Sequence, residues 1–187
     1  FGTVREIAVA GKAVRAVRMS FCGELGWELY VPNGNARTVY DSLAEGGRDL
    51  GAHDAGSYAL QSLRIEMAYR AWGSDIGPDD TPYEAGMGYL ADLKKTVPFI
   101  GREALLRQKE LGIKRRLVSF TLNDPAALLW GNELICRDGI CVGRTTSGAY
   151  GHTLGRAVAL GWVEDEGAVS KDFILSGNYE IEIAGKR

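Results

Sequence analysis

At 187 residues the chain is long enough for one large domain or two small ones with a substantial core. Its formal charge is −2, with both signs mixed along the sequence, which argues against a broad surface for nucleic acid or an anionic membrane. No apolar run approaches the length of a membrane span. The start, Phe1-Gly2-Thr3, is not a signal peptide, and both ends read as cut from a longer chain.

Residues 5–10 and 14–21 read as strands separated by a turn at Gly11-Lys12. The strand-type run Ala16-Val17-Arg18-Met19-Ser20-Phe21 leads into Gly23-Glu24-Leu25-Gly26, whose glycines bracket a turn. Trp27 to Val31 then alternate, which places Trp27, Leu29 and Val31 on one face and Glu28 and Tyr30 on the other, before Pro32 ends the strand. A carboxylate there, beside Trp27 and Tyr30, suits a flat polar ring. Its two oxygens can accept paired N–H donors through charge-assisted bonds.

Asn35 is placed to cap a helix running to about Glu45, with Val39 and Leu43 on one face. Asp54 or Ser57 is placed to cap the next, with Leu60, Leu63 and Met67 as its buried stripe and Glu66 and Arg70 as an i,i+4 pair. In the loop over residues 71–80, Asp75, Asp79 and Asp80 superficially suggest calcium. The alternating register and closing glutamate of a calcium loop are missing, so no metal site is assigned. Thr81-Pro82-Tyr83-Glu84 is a capping box that predicts one short helical turn. A strand is expected over about 87–93, then a helix from Gly101 to about Leu111, stopped by Gly112.

Beyond Lys114-Arg115-Arg116, which reads as a solvated strand entry, the pattern becomes all-β. Strands fall near 116–122, 132–137, 140–145, 156–163 and 179–184, as in a small barrel or sandwich. The stretch from Thr145 to Gly155 is too long and glycine-rich for a tight hairpin and is expected to be a loop. His152 within it, like His53, has no visible base–orienter arrangement.

Cys22, Cys136 and Cys141 lack C-x-x-C spacing, so neither zinc nor thioredoxin-like chemistry is indicated. Cys136 and Cys141 flank the Asp138-Gly139 turn and are expected to face each other across a ladder. A cross-strand disulfide is compatible with that placement, but reduced thiols are the expected cytosolic state.

Gly23-Glu24-Leu25-Gly26-Trp27-Glu28-Leu29-Tyr30 resembles the folate-site strand of the glycine-cleavage T-protein (aminomethyltransferase) superfamily. The similarity is greatest to the C-terminal folate domains of dimethylglycine and sarcosine dehydrogenases. Ser62-Leu63-Arg64-Ile65-Glu66, Asp79 to Gly86, Phe99-Ile100-Gly101-Arg102-Glu103 and Thr146-Ser147-Gly148 agree in order and spacing over nearly the whole chain.

The resemblance implies an α+β fold: the later half of a folate-binding module over residues 1–112, then a small antiparallel β-barrel over 113–187. It implies tetrahydrofolate as cofactor, with Glu28 anchoring the pterin and Phe21 and Tyr30 beside it. Phe21 stands where many members carry tyrosine, keeping the ring but losing the hydroxyl. Leu60 stands where the T-protein has an arginine, which favours the dehydrogenase branch.

The family's aspartate near the reacting folate nitrogen has no counterpart in this chain, so no catalytic residue is assigned and the chain alone is expected to be inactive. The implied partners are folate, a one-carbon donor and an upstream flavin (FAD) domain of the parent, with no nucleic acid and no membrane. The expected compartment is the cytoplasm, or the mitochondrial matrix in a eukaryote. A non-catalytic regulatory relative and a T-protein-type aminomethyltransferase are the alternatives. An iron–sulfur-assembly relative ranks last, because Lys95 to Gly101 lacks the cysteine of that branch.

Overall fold

The computed structural model describes residues 1–186. The chain is α+β and divides into two compact units, Phe1–Met67 and Ala68–Arg187.

In the first unit, β1 (Val4–Val9), β2 (Lys12–Val17) and β3 (Glu28–Tyr30) form an antiparallel meander in that order. Val9 pairs with Lys12, so the turn is Ala10-Gly11, one residue earlier than the sequence suggests. Both turn residues have positive φ, 49° and 71°, as a two-residue hairpin loop requires. Strand β2 stops at Val17, so Phe21 lies in the irregular connection to β3 and not on a strand. The polar Ser20 and the glycines at 23 and 26 break the extended run there.

Directly opposed residues share a face. One face therefore carries Glu6, Arg15, Glu28 and Tyr30, and the other carries Val14, Ala16 and Leu29. Val14, Ala16 and Val39 are buried. Fully burying an aliphatic side chain of this kind contributes about 1.5–3 kcal/mol.

Helix α1 (Ala36–Gly47) lies against β1. Asn35 is its N-cap residue but caps nothing with its side chain, because a 3₁₀ turn at Asn33–Asn35 already leads into the helix. Helix α2 (Ser57–Glu66) starts from Gly56, again without a side-chain cap. Its buried residues are Ser62, Arg64 and Ile65, whereas Leu60 and Met67 are exposed, so the expected apolar stripe does not form. The helix also ends before Arg70, whose guanidinium donates to the carbonyls of Ala68 (2.8 Å) and Ala85 (3.0 Å).

The second unit opens with loops. The capping box forms reciprocally: the Thr81 amide donates to Glu84 Oε2 (3.0 Å) and the Glu84 amide to Thr81 Oγ1 (3.3 Å). No strand forms over 87–93. Gly88–Leu90 is a 3₁₀ turn, because the glycines at 86 and 88 interrupt any alternation. Helix α3 (Arg102–Leu111) runs between Gly101 and Gly112 as expected.

Strands β4 (Arg115–Thr121), β5 (Leu134–Arg137), β6 (Ile140–Gly151), β7 (Arg156–Glu164) and β8 (Tyr179–Glu182) then form one antiparallel sheet in the order β4-β7-β6-β5-β8. The sheet is barrel-like: the rings of Phe120 on β4 and Tyr179 on β8, its two edge strands, come to 5.4 Å. Leu129, Ala157 and Ala159 form a buried cluster with Phe120, Leu122 and Ile181 packed on it. A short helix, α4 (Lys171–Ser176), capped by the Ser170 hydroxyl, was not foreseen.

Candidate functional site

The sequence-predicted site lies in the first unit. Glu28 opens β3, with Val17 opposite it and Tyr30 two residues on along the same face. The Tyr30 hydroxyl donates to Glu28 Oε2 at 3.0 Å. This bond to the carboxylate, and the charge beside it, hold the Tyr30 phenol above its ordinary pKa. Glu28 is half-buried and Tyr30 is 58 % exposed. The carboxylate is thus fixed in direction while its ring neighbour faces outward.

The connection that feeds β3 is pinned at several points. Arg18 Nη1 donates to the Gly26 carbonyl at 2.9 Å, and its guanidinium carbon lies 5.8 Å from the centre of the Trp27 ring. Gly23 has φ of 82°, and a Cβ there would collide with the Met67 side chain, so both conformation and space call for glycine. Ser20 Oγ lies 3.3 Å from Cys22 Sγ, and that hydroxyl is the main cause holding the Cys22 thiol below its usual pKa. Phe21 stands at the exposed margin of this segment. Beyond Tyr30, a depression of about 420 Å³ is lined by Glu6, Ala13, Arg15, Tyr30, Val31 and Pro32.

A second polar centre, not read from the sequence, lies in the second unit. Asp75 is 1 % exposed. Its Oδ1 accepts from Thr146 Oγ1 (2.5 Å) and Ser147 Oγ (2.6 Å), its Oδ2 from the Ala71 amide (2.9 Å), and its carbonyl from Trp162 Nε1 (3.1 Å). Asp80 accepts from Arg115 Nη2 and the Gly77 amide, both at 2.6 Å. These carboxylates serve as internal anchors for the 71–80 loop. Among the described residues, no group of three or more His, Cys, Asp or Glu is placed to hold a metal ion.

Arg115 is not a solvated strand entry: it also approaches Glu84 Oε1 (3.5 Å) and stacks 4.8 Å above the Trp162 ring. The sequence singled out Asp75 only as a calcium candidate and Thr146-Ser147-Gly148 only as a family-like segment, and no local pattern joins the two across 71 residues. His152 sits in the turn after β6, its ring edge-on to Tyr150 at 5.2 Å.

The α+β unit followed by a five-stranded antiparallel barrel-like sheet has the fold of an aminomethyltransferase T. Residues 1–95 match the GCVT N-terminal domain and residues 115–187 the glycine cleavage T-protein C-terminal barrel domain, and the chain belongs to that family. It is 43 % identical over 187 residues to mitochondrial sarcosine dehydrogenase of Homo sapiens, covering 99 % of this chain and 20 % of the relative. It is also 43 % identical over 195 residues to the mitochondrial pyruvate dehydrogenase phosphatase regulatory subunit of Mus musculus, covering 98 % and 22 %. The crystal structure of glycine cleavage system aminomethyltransferase T from Bartonella henselae superposes with a TM-score of 0.76 at 26 % identity, covering 92 % of this chain and 46 % of that one. The chain therefore spans about a fifth of the length of these curated relatives. Among the described residues no helix is long and apolar enough to cross a membrane.

Proposed function

We propose that this chain is the folate-binding portion of a flavin-dependent enzyme that demethylates an N-methyl amine of the sarcosine or dimethylglycine type and passes the one-carbon unit to tetrahydrofolate. The observation that carries this reading is the Glu28–Tyr30 pair on the exposed face of the three-stranded sheet. A carboxylate has about four lone-pair sites. The Tyr30 hydroxyl occupies one on Oε2, which leaves Oε1 and the rest of Oε2 for the adjacent N–H donors of a pterin edge. The acceptor set fits such a ring edge. Glu28 would hold its hydrogen-bonding edge, with Phe21 and Tyr30 against its apolar surface. Bound tetrahydrofolate supplies the nitrogen that accepts the one-carbon unit.

The amine-oxidising flavin lies, on this reading, in the parent outside this chain, and the chain alone is inactive. The division near residue 112 into a folate part and a barrel part is supported by the family matches that end at 95 and begin at 115. The mitochondrial names of the relatives support a matrix location if the source is eukaryotic.

The test is calorimetric titration of the full-length protein with tetrahydrofolate. Glu28→Gln removes the charge and turns one oxygen into a donor, so its affinity should fall by about 10- to 100-fold, the effect of losing roughly 1.5–3 kcal/mol in a charge-assisted bond. Glu24→Gln, at the exposed turn, should bind like wild type. The reverse pattern would place the site on the wrong glutamate.

A second reading has a specific observation in its favour. The phosphatase regulatory subunit matches at the same 43 % identity as sarcosine dehydrogenase. Reduction of a bound flavin by an N-methyl amine in the full-length protein separates the two, because a regulatory relative would show none.

A further inference from the structure

We propose that Cys136 and Cys141 form a reversible dithiol–disulfide site, in which exposed Cys141 is the thiol that meets an external disulfide and buried Cys136 the thiol that resolves it. The two residues are directly opposed on the β5–β6 ladder, and their sulfurs lie 3.4 Å apart as reduced thiols. Opposed residues on an antiparallel ladder have Cα atoms about 4.5–5.5 Å apart, within the roughly 4.4–6.8 Å that disulfides span. Pairing therefore needs side-chain rotation and no strand movement.

The hairpin is also held from outside. The Asp138 amide donates to the Asn178 carbonyl (2.9 Å), the Asn178 amide donates back to Asp138 Oδ1 (3.1 Å), and the Arg137 guanidinium stacks 4.1 Å from Phe173. On the far side Cys136 is paired with Glu180 of β8. The thiols are thus kept in register from both sides of the turn.

Their exposures differ, and that sets the order of reaction. Cys136 is 0 % exposed, whereas Cys141 is exposed at the rim of a depression of about 490 Å³ that it lines with Arg144 and Trp162. A glutathione-type disulfide can reach Cys141 only. The Cys141 thiolate attacks one sulfur of that disulfide, whose S–S bond breaks, and the first small thiolate leaves with the bonding pair. Cys136, its proton lost to solvent, attacks Cys141 Sγ and expels the second small thiolate. Two protein thiols are oxidised, one external disulfide is reduced to two thiols, and no other oxidant enters.

The test uses the full-length protein equilibrated in stepped ratios of reduced to oxidised glutathione, then acid-quenched, alkylated and digested with trypsin. Cleavage after Arg137 and Arg144 places Cys136 and Cys141 on different peptides, so the internal disulfide is read as a linked pair containing residues 138–144. The linked pair should accumulate toward the oxidising end and separate fully with dithiothreitol, while Cys22 yields only single-cysteine products. Cys141→Ser, an exposed position, should lose the linked pair and leave Cys136 without glutathione. The proposal fails if Cys141 accumulates as a glutathione adduct while Cys136 stays alkylatable. It fails equally if Cys136 takes up glutathione in the Cys141→Ser protein.

Discussion

Asp75 turns two hydroxyls, an amide and an indole N–H toward a single buried residue, and the energetics of that arrangement are asymmetric. Satisfied, such a group adds modestly to stability, but removing the carboxylate strands its donors away from water, at about 1–3 kcal/mol for each one left unpaired. Asp75→Ala should therefore lower the unfolding free energy by about 2 kcal/mol or more, since the Thr146 hydroxyl keeps the Leu160 carbonyl as an acceptor, and Ser147→Ala by about 1 kcal/mol. In urea denaturation the double variant should cost less than the two singles added, because both remove one bond.

Glu133 makes a pH-dependent version of the same argument. Burial pushes its carboxyl up, but the Thr145 hydroxyl and the Trp130 and Gly131 amides outweigh it and hold the group below its ordinary range. A carboxylate with a depressed folded-state pKa contributes stability above its unfolded value, which is lost as pH falls through the folded one. Glu133→Gln should be less stable than wild type at neutral pH. That gap should close as pH drops below the usual glutamate range near about 4.3, as followed by thermal midpoints.

At the scale of elements, signals carried by neighbouring residues were legible. The Asp138-Gly139 turn with its opposed cysteines, the reciprocal Thr81–Glu84 box and the Gly101–Gly112 limits of α3 form as read. What failed depended on distant contacts. The stretch from Thr145 to Gly155 reads as a loop because glycine usually marks turns, yet Thr145 to Gly151 continue β6 through a bulge. The small residues there accommodate close backbone approach: Leu129 lies where a Cβ on Gly148 would go, and the Trp162 carbonyl where a Cβ on Gly143 would go. That partner lies on β7 and is invisible in a local window. Gly143→Ala should thus destabilise the barrel by more than the ordinary gain of about 0.4–1 kcal/mol from replacing glycine would suggest, with the opposite sign. Amide hydrogen exchange of β6 and β7 should accelerate, whereas Gly34→Ala, in open space and without a positive φ, should leave both strands protected.

For the molecule as a whole, the proposed site rests on one strand that the sequence made legible, but not on what would complete it. Glu28 and Tyr30 share a face because strands have a period of two, which alternation alone reveals. Phe21 was placed on a paired strand, and only the register shows that β2 ends four residues before it. On the proposed reading the Glu28–Tyr30 pair offers recognition without chemistry: the carboxylate held by a phenol would hold the ring, and Glu6, the other acid on that face, is paired with Arg15 at 2.8 Å. Proton transfer by a positioned side chain contributes about 100- to 10,000-fold, so its loss should be plain in a rate. Mixing the isolated chain with tetrahydrofolate and formaldehyde under single-turnover conditions should give condensation at the uncatalysed rate. The full-length protein should accelerate it. Saturable catalysis by the isolated chain would show that one of its own residues supplies the proton, and the first variants to make would then be Cys22→Ser and Tyr30→Phe, the two titratable groups beside the proposed ring whose pKa values the fold shifts.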